Sequence, residues 1–304
     1  MDELRIAIEP AGMIADGLEP AVRAAGLSRA LSSDQASGLI WCSTSPEGID
    51  RILAANPQIR WVQLLHAGVE RYRAQVADGR SWSCAKDAFG PPVAEFALGL
   101  LIASSRGLIG YSRRSSTGHS PARSLDGASV AIIGGGGIGR SLASMLDALG
   151  SEVALVTRSG RPIGAWPTSA SSEMERVVRA ADHVVLALPL TEETIGLVDR
   201  SFLSWMKPSA WLHNVARGRI VVTEDLVAAI EDGVIAGACL DVTEPEPLAD
   251  DHPLRGMDQV LITPHCANTL ELAIPILTHL IESNCSRFAS GEPLLGVIDP
   301  EAGY

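Results

Sequence analysis

The chain has 304 residues, 46% of them hydrophobic and 20% charged, and carries a formal net charge of −12. That length exceeds what one core usually serves, so two domains are expected, with the composition of a packed globular protein. The acidic balance argues against nucleic acid, whose phosphates it would repel; it does not exclude a small anion, because one arginine can dominate a pocket.

Along the chain, the first ten residues carry acids and no long apolar stretch, unlike a secretory signal. Residues 4–8, 39–42 and 61–65 read as strands, and residues 48–56, closed by Asn56 and Pro57, as a helix. Strands alternating with helices predict a parallel sheet covered on both faces. Residues 91–106 form a long predicted helix opened by Pro91 and Pro92. Its apolar part, 96–103, is too short to span a bilayer, so no membrane partner is expected. Residues 112–121, polar and rich in breakers around His119, read as an exposed connector. Five cysteines, odd in number and without CxxC spacing, argue against a disulfide framework or zinc, and a cytoplasmic setting is expected.

The pattern restarts with a predicted strand at 129–133. It runs into Gly134, Gly136 and Gly139 in G-x-G-x-x-G spacing, with Gly137 and Ile138 between, and then into a helix reaching Leu149. Strand, glycine turn and helix together are the context of a dinucleotide site: the turn lets backbone approach a pyrophosphate, and the helix N-terminus favours its charge. A flexible glycine loop that binds nothing is the alternative. The next strand, 153–156, ends in Thr157-Arg158-Ser159 with Arg161 close by, where an NAD site usually carries an acid. A guanidinium and two hydroxyls there suit a 2′-phosphate and predict NADP preference; NAD with a solvated Arg158 is the other reading.

Three later segments each begin as an apolar run and end in polar residues: 206–218 with Arg217, 240–248 with Glu246, and 262–265 with His265. Ligands in doubly wound folds bind beyond the carboxyl ends of strands, so these three side chains are expected to converge. Arg can fork onto the carboxylate and carbonyl of a 2-oxo acid, and His titrates nearest neutral pH. Glu246, hydrogen-bonded to the far ring nitrogen, would orient the imidazole and favour its protonated form. Taken singly, each is more readily a packed, ion-paired or solvated residue than a functional one.

These segments, with residues 66–70, 93–95, 188–191 and 291–294, resemble the D-isomer-specific 2-hydroxyacid dehydrogenase family, which includes glyoxylate/hydroxypyruvate reductases and phosphoglycerate dehydrogenases. The resemblance covers nearly the whole chain. It implies two Rossmann-like or flavodoxin-like α/β domains with doubly wound parallel sheets and a cleft between them. Residues 1–95 and 280–304 would form a discontinuous substrate-binding domain, and 96–279 the dinucleotide-binding one, with the helix at 91–106 and the region near Ile281 as hinges. It further implies that Arg217 binds a small 2-oxo or 2-hydroxy acid, His265 is the acid/base and Glu246 its partner. Backbone around Ala67, Gly68 and Val69 would hold the substrate carboxylate. Asp241 would contact the nicotinamide carboxamide, and Leu188, Pro189, Thr194, Val215 and Ala216 would line the cofactor. A homodimer is implied as well.

Three features depart from the family pattern. The Thr157-Arg158-Ser159 tip resembles the NADP-preferring reductases, the connector lacks a Trp common there, and His213 replaces an aliphatic residue before Asn214. His213 reads as a packed histidine without a role; His66 is as readily packed as substrate-facing; Cys266 reads as a buried, inert thiol beside His265. The loop 43–48 has hydroxyls but no Lys or Arg, which favours glyoxylate or hydroxypyruvate over a phosphorylated acid. Phosphoglycerate dehydrogenase-like activity, a non-catalytic corepressor-like dinucleotide sensor and a Rossmann enzyme of another class stay open.

Overall fold

In the computed structural model, residues 4–30, 32–113 and 122–301 are described. The chain opens with β1 (Arg5–Glu9), α1 (Met13–Ala24) and β2 (Ser28–Arg29). It continues through β3 (Gly38–Trp41), α2 (Ile49–Ala55), β4 (Trp61–Leu64) and β5 (Ser81–Ser83). All strand pairs are parallel, in the order β2-β1-β3-β4-β5. Every residue of β3 and β4 is buried, the signature of a sheet with helices on both faces.

A second sheet follows. It is built from α3 (Gly90–Ser105), α4 (Leu108–Arg113), β6 (Ser129–Ile133), α5 (Gly137–Ala148), β7 (Glu152–Thr157), β8 (Thr168–Ala170), α6 (Met174–Ala180) and β9 (His183–Leu186). It is completed by α7 (Arg200–Trp205), β10 (Trp211–Asn214), α8 (Thr223–Glu231), β11 (Gly237–Leu240), α9 (Pro253–Gly256) and β12 (Val260–Ile262). Its seven parallel strands run β12-β11-β10-β9-β6-β7-β8. The order reverses between β6 and β9, and in the first sheet between β1 and β3, so both are doubly wound with a switch point. The last helix, α10 (Leu270–Ser290), packs on α1.

Two compact units result: the described residues to Phe89 with those from Thr269 on, and Gly90–Asn268. The sequence placed these boundaries near 95 and 280. The helix α3 lies whole in the second unit, packed along α5, and α10 whole in the first. One apolar cluster fills the α6–α7–α8 side of the larger sheet with Ile133, Val184, Leu186, Leu212 and Leu240.

The expected connector at 112–121 gives its first two residues to α4, and its remainder, His119 included, lies outside the described residues. All five cysteines are free thiols. Among the described residues no helix is long and apolar enough to cross a membrane.

Candidate active site

The glycine turn joins β6 to α5 at the switch point of the larger sheet. Gly134 has φ +126, and a Cβ there would collide with the Ala187 carbonyl at the end of β9. A Cβ on Gly139 would strike the Gly134 carbonyl, so strand, turn and helix meet more closely than any other residue allows. Gly136, the N-cap of α5, brings no side chain over the first turn. A glycine-lined backbone cradle at a helix start, with the Arg140 guanidinium reaching back to the Gly135 carbonyl at 3.0 Å, fits a dinucleotide pyrophosphate.

At the tip of β7, Thr157 Oγ1 accepts the Gly160 N–H at 3.0 Å and Ser159 Oγ accepts the Arg161 N–H at 3.4 Å. Each hydroxyl keeps its own proton to donate. Arg158 and Arg161 are exposed, and neither guanidinium has a side-chain partner among the described residues. Beyond β9, Leu188 is half-buried and Pro189 exposed; Thr194 Oγ1 accepts the Thr191 N–H at 2.7 Å and donates to the Pro189 carbonyl at 2.8 Å.

The three candidate side chains rise from β10, β11 and β12, which are neighbours in the sheet. Asn214 pairs with Leu240 and Leu240 with Ile262, so the strands end level with one another. After β10, the buried Asn214 accepts the Ala216 N–H through Oδ1 and donates through Nδ2 to the Arg217 carbonyl, both at 3.0 Å. That clasp turns out Arg217, half-buried, with Nη1 donating to the Ala216 carbonyl at 2.7 Å. Val215 and Ala216 are buried beneath it. A Cβ on Gly218 would collide with the Thr243 carbonyl, so this turn lies directly on the loop after β11.

That loop carries Glu246 between two cis prolyl bonds, Glu244–Pro245 and Glu246–Pro247. Its carboxylate Oε1 lies 2.7 Å from His265 Nδ1, and both side chains are about half exposed (43% and 49%). An ionised carboxylate only accepts, so the proton between them sits on Nδ1 and leaves Nε2 as the outward nitrogen. His265 adopts φ +52, in the left-handed region. Its N–H donates to the carbonyls of Asp241 at 2.8 Å and Thr263 at 3.0 Å.

Asp241 is almost fully buried, at 2% exposure. Its Oδ1 accepts the Thr263 hydroxyl at 2.6 Å and the Cys266 N–H at 2.9 Å; its Oδ2 accepts the Ala267 N–H at 3.0 Å. Burial first, and then the Asp241 carboxylate, push the Cys266 thiol above its ordinary value, the setting of an unreactive thiol. The roles of Asp241, Thr263 and Asn214 in shaping these turns were not read from the sequence. A polar Asn or Asp ending an otherwise apolar strand is the signal that was available.

His213 does not reach the site. It is wholly buried on the α3 side of the sheet, with Nε2 3.1 Å from His183 Nδ1, and His183 Nε2 lies 3.0 Å from Ser105 Oγ. The loop Ala67-Gly68-Val69 belongs to the first unit, at the carboxyl end of β4. There Ala67 is exposed and Gly68 half-buried, while Val69 is buried. His66 Nδ1 lies 2.5 Å from the Gly68 carbonyl, so that nitrogen carries a proton and the ring braces its own loop.

Residues 98–267 match the model of the D-isomer specific 2-hydroxyacid dehydrogenase NAD binding domain, more than half of the chain. The chain belongs to this family. The dehydrogenase is thus an NAD(P)-dependent oxidoreductase. It is 41% identical over 255 residues to an uncharacterized protein in the proB 3′ region of Corynebacterium melassecola, covering 81% of this chain and 84% of that protein. It is 30% identical over 262 residues to the glyoxylate reductase of Thermococcus kodakarensis, covering 81% and 78%. A crystal structure of a D-isomer specific 2-hydroxyacid dehydrogenase from Xanthobacter autotrophicus Py2, in complex with NADPH and MES, superposes with a TM-score of 0.87. It is 27% identical and covers 99% of this chain and 100% of that one. The doubly wound α/β fold expected from the sequence is the fold of these relatives.

Proposed function

We propose that the dehydrogenase reduces small unphosphorylated 2-oxo acids of the glyoxylate and hydroxypyruvate class, with His265 as acid and base, Glu246 orienting it and Arg217 anchoring the substrate. The 2.7 Å contact between Glu246 and His265 Nδ1 carries this reading, because it keeps a proton on Nδ1, leaves Nε2 to accept a proton, and favours the doubly protonated ring that gives one. The bound nicotinamide supplies the hydride. Arg217, permanently charged and forked, holds the substrate carboxylate and polarises its carbonyl. His265 Nε2 gives its proton to the carbonyl oxygen in reduction and takes one back in oxidation, while the Glu246 carboxylate keeps the ring from turning. The backbone at Ala67, Gly68 and Val69 is the proposed seat of the substrate carboxylate.

For the cofactor, Gly134, Gly136, Gly137, Ile138 and Gly139 are assigned to the pyrophosphate, and Leu188, Pro189, Thr194, Val215 and Ala216 to the wall. Asp241, whose carboxylate takes the Thr263 hydroxyl and the Cys266 and Ala267 N–H groups, is assigned to the nicotinamide carboxamide. NADP(H) is the preferred form: Arg158 and Arg161 stand at the tip of β7 with no side-chain partner among the described residues, and residues 157–163 contain no carboxylate. The loop after β3 carries no Lys or Arg over residues 43–48, so it offers no cation to a phosphoryl group. A homodimer is proposed on the family resemblance alone, and light scattering decides it.

The test is the initial rate of NADPH and NADH oxidation with glyoxylate, hydroxypyruvate and 3-phosphohydroxypyruvate. NADPH with an unphosphorylated acid is expected to turn over fastest; a faster phosphorylated acid overturns the substrate assignment. Thr157→Asp with Arg158→Ala should reverse the ratio of kcat/KM for the two nucleotides, and an unchanged ratio removes the case for NADP.

A further inference from the structure

The loop that presents His265 has no regular hydrogen bonding of its own after β12, and it must hold a histidine in the left-handed region. For a side chain with a Cβ that conformation is uphill unless its surroundings impose it. What imposes it is one residue on the neighbouring strand end. The carboxylate of Asp241 takes the Thr263 hydroxyl, the Cys266 N–H and the Ala267 N–H, and the Asp241 carbonyl takes the His265 N–H. Donors from four of the five residues between 263 and 267 thus end on Asp241; the fifth is Pro264, which has no N–H. Asp241 in turn donates its own N–H to the Asn214 carbonyl at 2.9 Å, at the root of the Arg217 turn.

We infer that Thr263 and Asp241 form a latch that sets the angle of His265 toward Glu246, making them positioning residues for proton transfer. Thr263 is the part that can be tested cleanly. Its hydroxyl donates to Asp241 at 2.6 Å, and the buried carboxylate it serves is strongly penalised for a missing donor. Valine has nearly the same shape and lacks the hydroxyl, so Thr263→Val removes one hydrogen bond and leaves the packing. Serine keeps the hydroxyl. The backbone N–H donors of Cys266 and Ala267 stay in both variants, so the loop slackens without being lost. Thr263 is half-buried here, and because its partner Asp241 is also assigned to the nicotinamide carboxamide, the NADPH affinity is read beside kcat.

This inference rests on the proposed role of His265, and the experiment tells their failures apart. Steady-state reduction of glyoxylate is compared for the full-length protein and for Thr263→Val, Thr263→Ser and His265→Gln, with the Kd for NADPH measured directly by its fluorescence. The latch predicts that Thr263→Val lowers kcat by roughly ten- to a hundredfold, the usual effect of a small misplacement of a catalytic group. The Kd for NADPH should stay within about twofold, as for a loss confined to the transition state. Transfer from 4-deuterated NADPH should become slower than from NADPH by a larger ratio than in the wild type, and Thr263→Ser should recover most of kcat. A Thr263→Val enzyme with wild-type kcat overturns the latch. So does an equal fall in kcat and NADPH affinity that serine does not repair. If His265→Gln itself keeps wild-type kcat, the acid/base assignment fails instead, whatever Thr263 does.

Discussion

At the scale of single residues, the turn after β10 shows how little material places a cation. Asn214 is wholly buried, and its side chain accepts the Ala216 N–H and donates to the Arg217 carbonyl, so two residues of turn are held by one amide. The turn also lies against the next loop, because Gly218 has no Cβ where the Thr243 carbonyl passes. Gly218→Ala must push that loop and the Arg217 turn apart. The expected result is a rise in the KM for glyoxylate of tenfold or more with little change in the Kd for NADPH, since substrate anchoring moves and the glycine cradle does not. An unchanged KM means the loops separate without disturbing Arg217. The pairing of Glu246 with His265 was legible, because each is a polar residue just past an apolar run. What Asn214, Asp241 and Thr263 do was hidden, since their partners lie on neighbouring strand ends whose register no local pattern states.

At the scale of elements, the long apolar strands and the glycine turn were readable, whereas β5 (Ser81–Ser83) and β8 (Thr168–Ala170) were not. Strands of three residues, Ser81-Trp82-Ser83 and Thr168-Ser169-Ala170, are too short to carry a periodicity, and only pairing to a neighbour makes them strands. Register also decides the fate of His213. Trp211 pairs with His183, which puts His213 and His183 on the same face of adjacent strands, two positions apart along the sheet. His213 Nδ1 has no partner among the described residues, and a bare lone pair is cheaper to bury than an orphan N–H. The favoured arrangement therefore has His213 Nε2–H donating to His183 Nδ1, and His183 Nε2–H to Ser105. Burial is the main cause that lowers both rings' pKa, to about 4 for His183 and well below the usual value for His213. An unfolded imidazole titrates near 6.5, so below that pH the unfolded chain binds protons that the native one refuses. Stability is then complete above about 6.5 and lost as the pH falls toward about 4, at up to roughly 1.4 kcal/mol per pH unit for each ring. The double variant His183→Val, His213→Leu should flatten the fall of the urea midpoint between pH 7 and pH 5. An equally steep fall in that variant would place the acid sensitivity elsewhere.

At the scale of the whole molecule, the resemblance implied a discontinuous first domain, but what fastens its two pieces is visible only in three dimensions. Segments more than two hundred residues apart in sequence meet around Gln63 on β4 and Asn284 on α10, both wholly buried. Asn284 Nδ2 donates to Gln63 Oε1 at 2.7 Å and to the Leu295 carbonyl at 3.0 Å, and its Oδ1 accepts the Leu295 N–H at 2.7 Å. Gln63 Oε1 also accepts the Ser83 hydroxyl, which itself accepts the Trp61 indole N–H, both at 2.8 Å. One amide thus joins the last helix to the strand it covers and to the segment that follows the helix. Asn284→Leu, of similar size, would leave the Leu295 N–H and carbonyl unpaired and Gln63 one donor short. Each buried orphan costs about 1–3 kcal/mol, so a loss of several kcal/mol is expected, a large share of a typical stability of 5–15. Because α10 belongs to the first unit and the glycine cradle to the second, the loss should fall unevenly. Amide exchange in Asn284→Leu should quicken in β1, β3 and β4 while β6 and α5 keep their protection and NADPH still binds. Uniform acceleration across both sheets would mean that the two units unfold as one, and that the return of the chain to its first unit stabilises the whole protein.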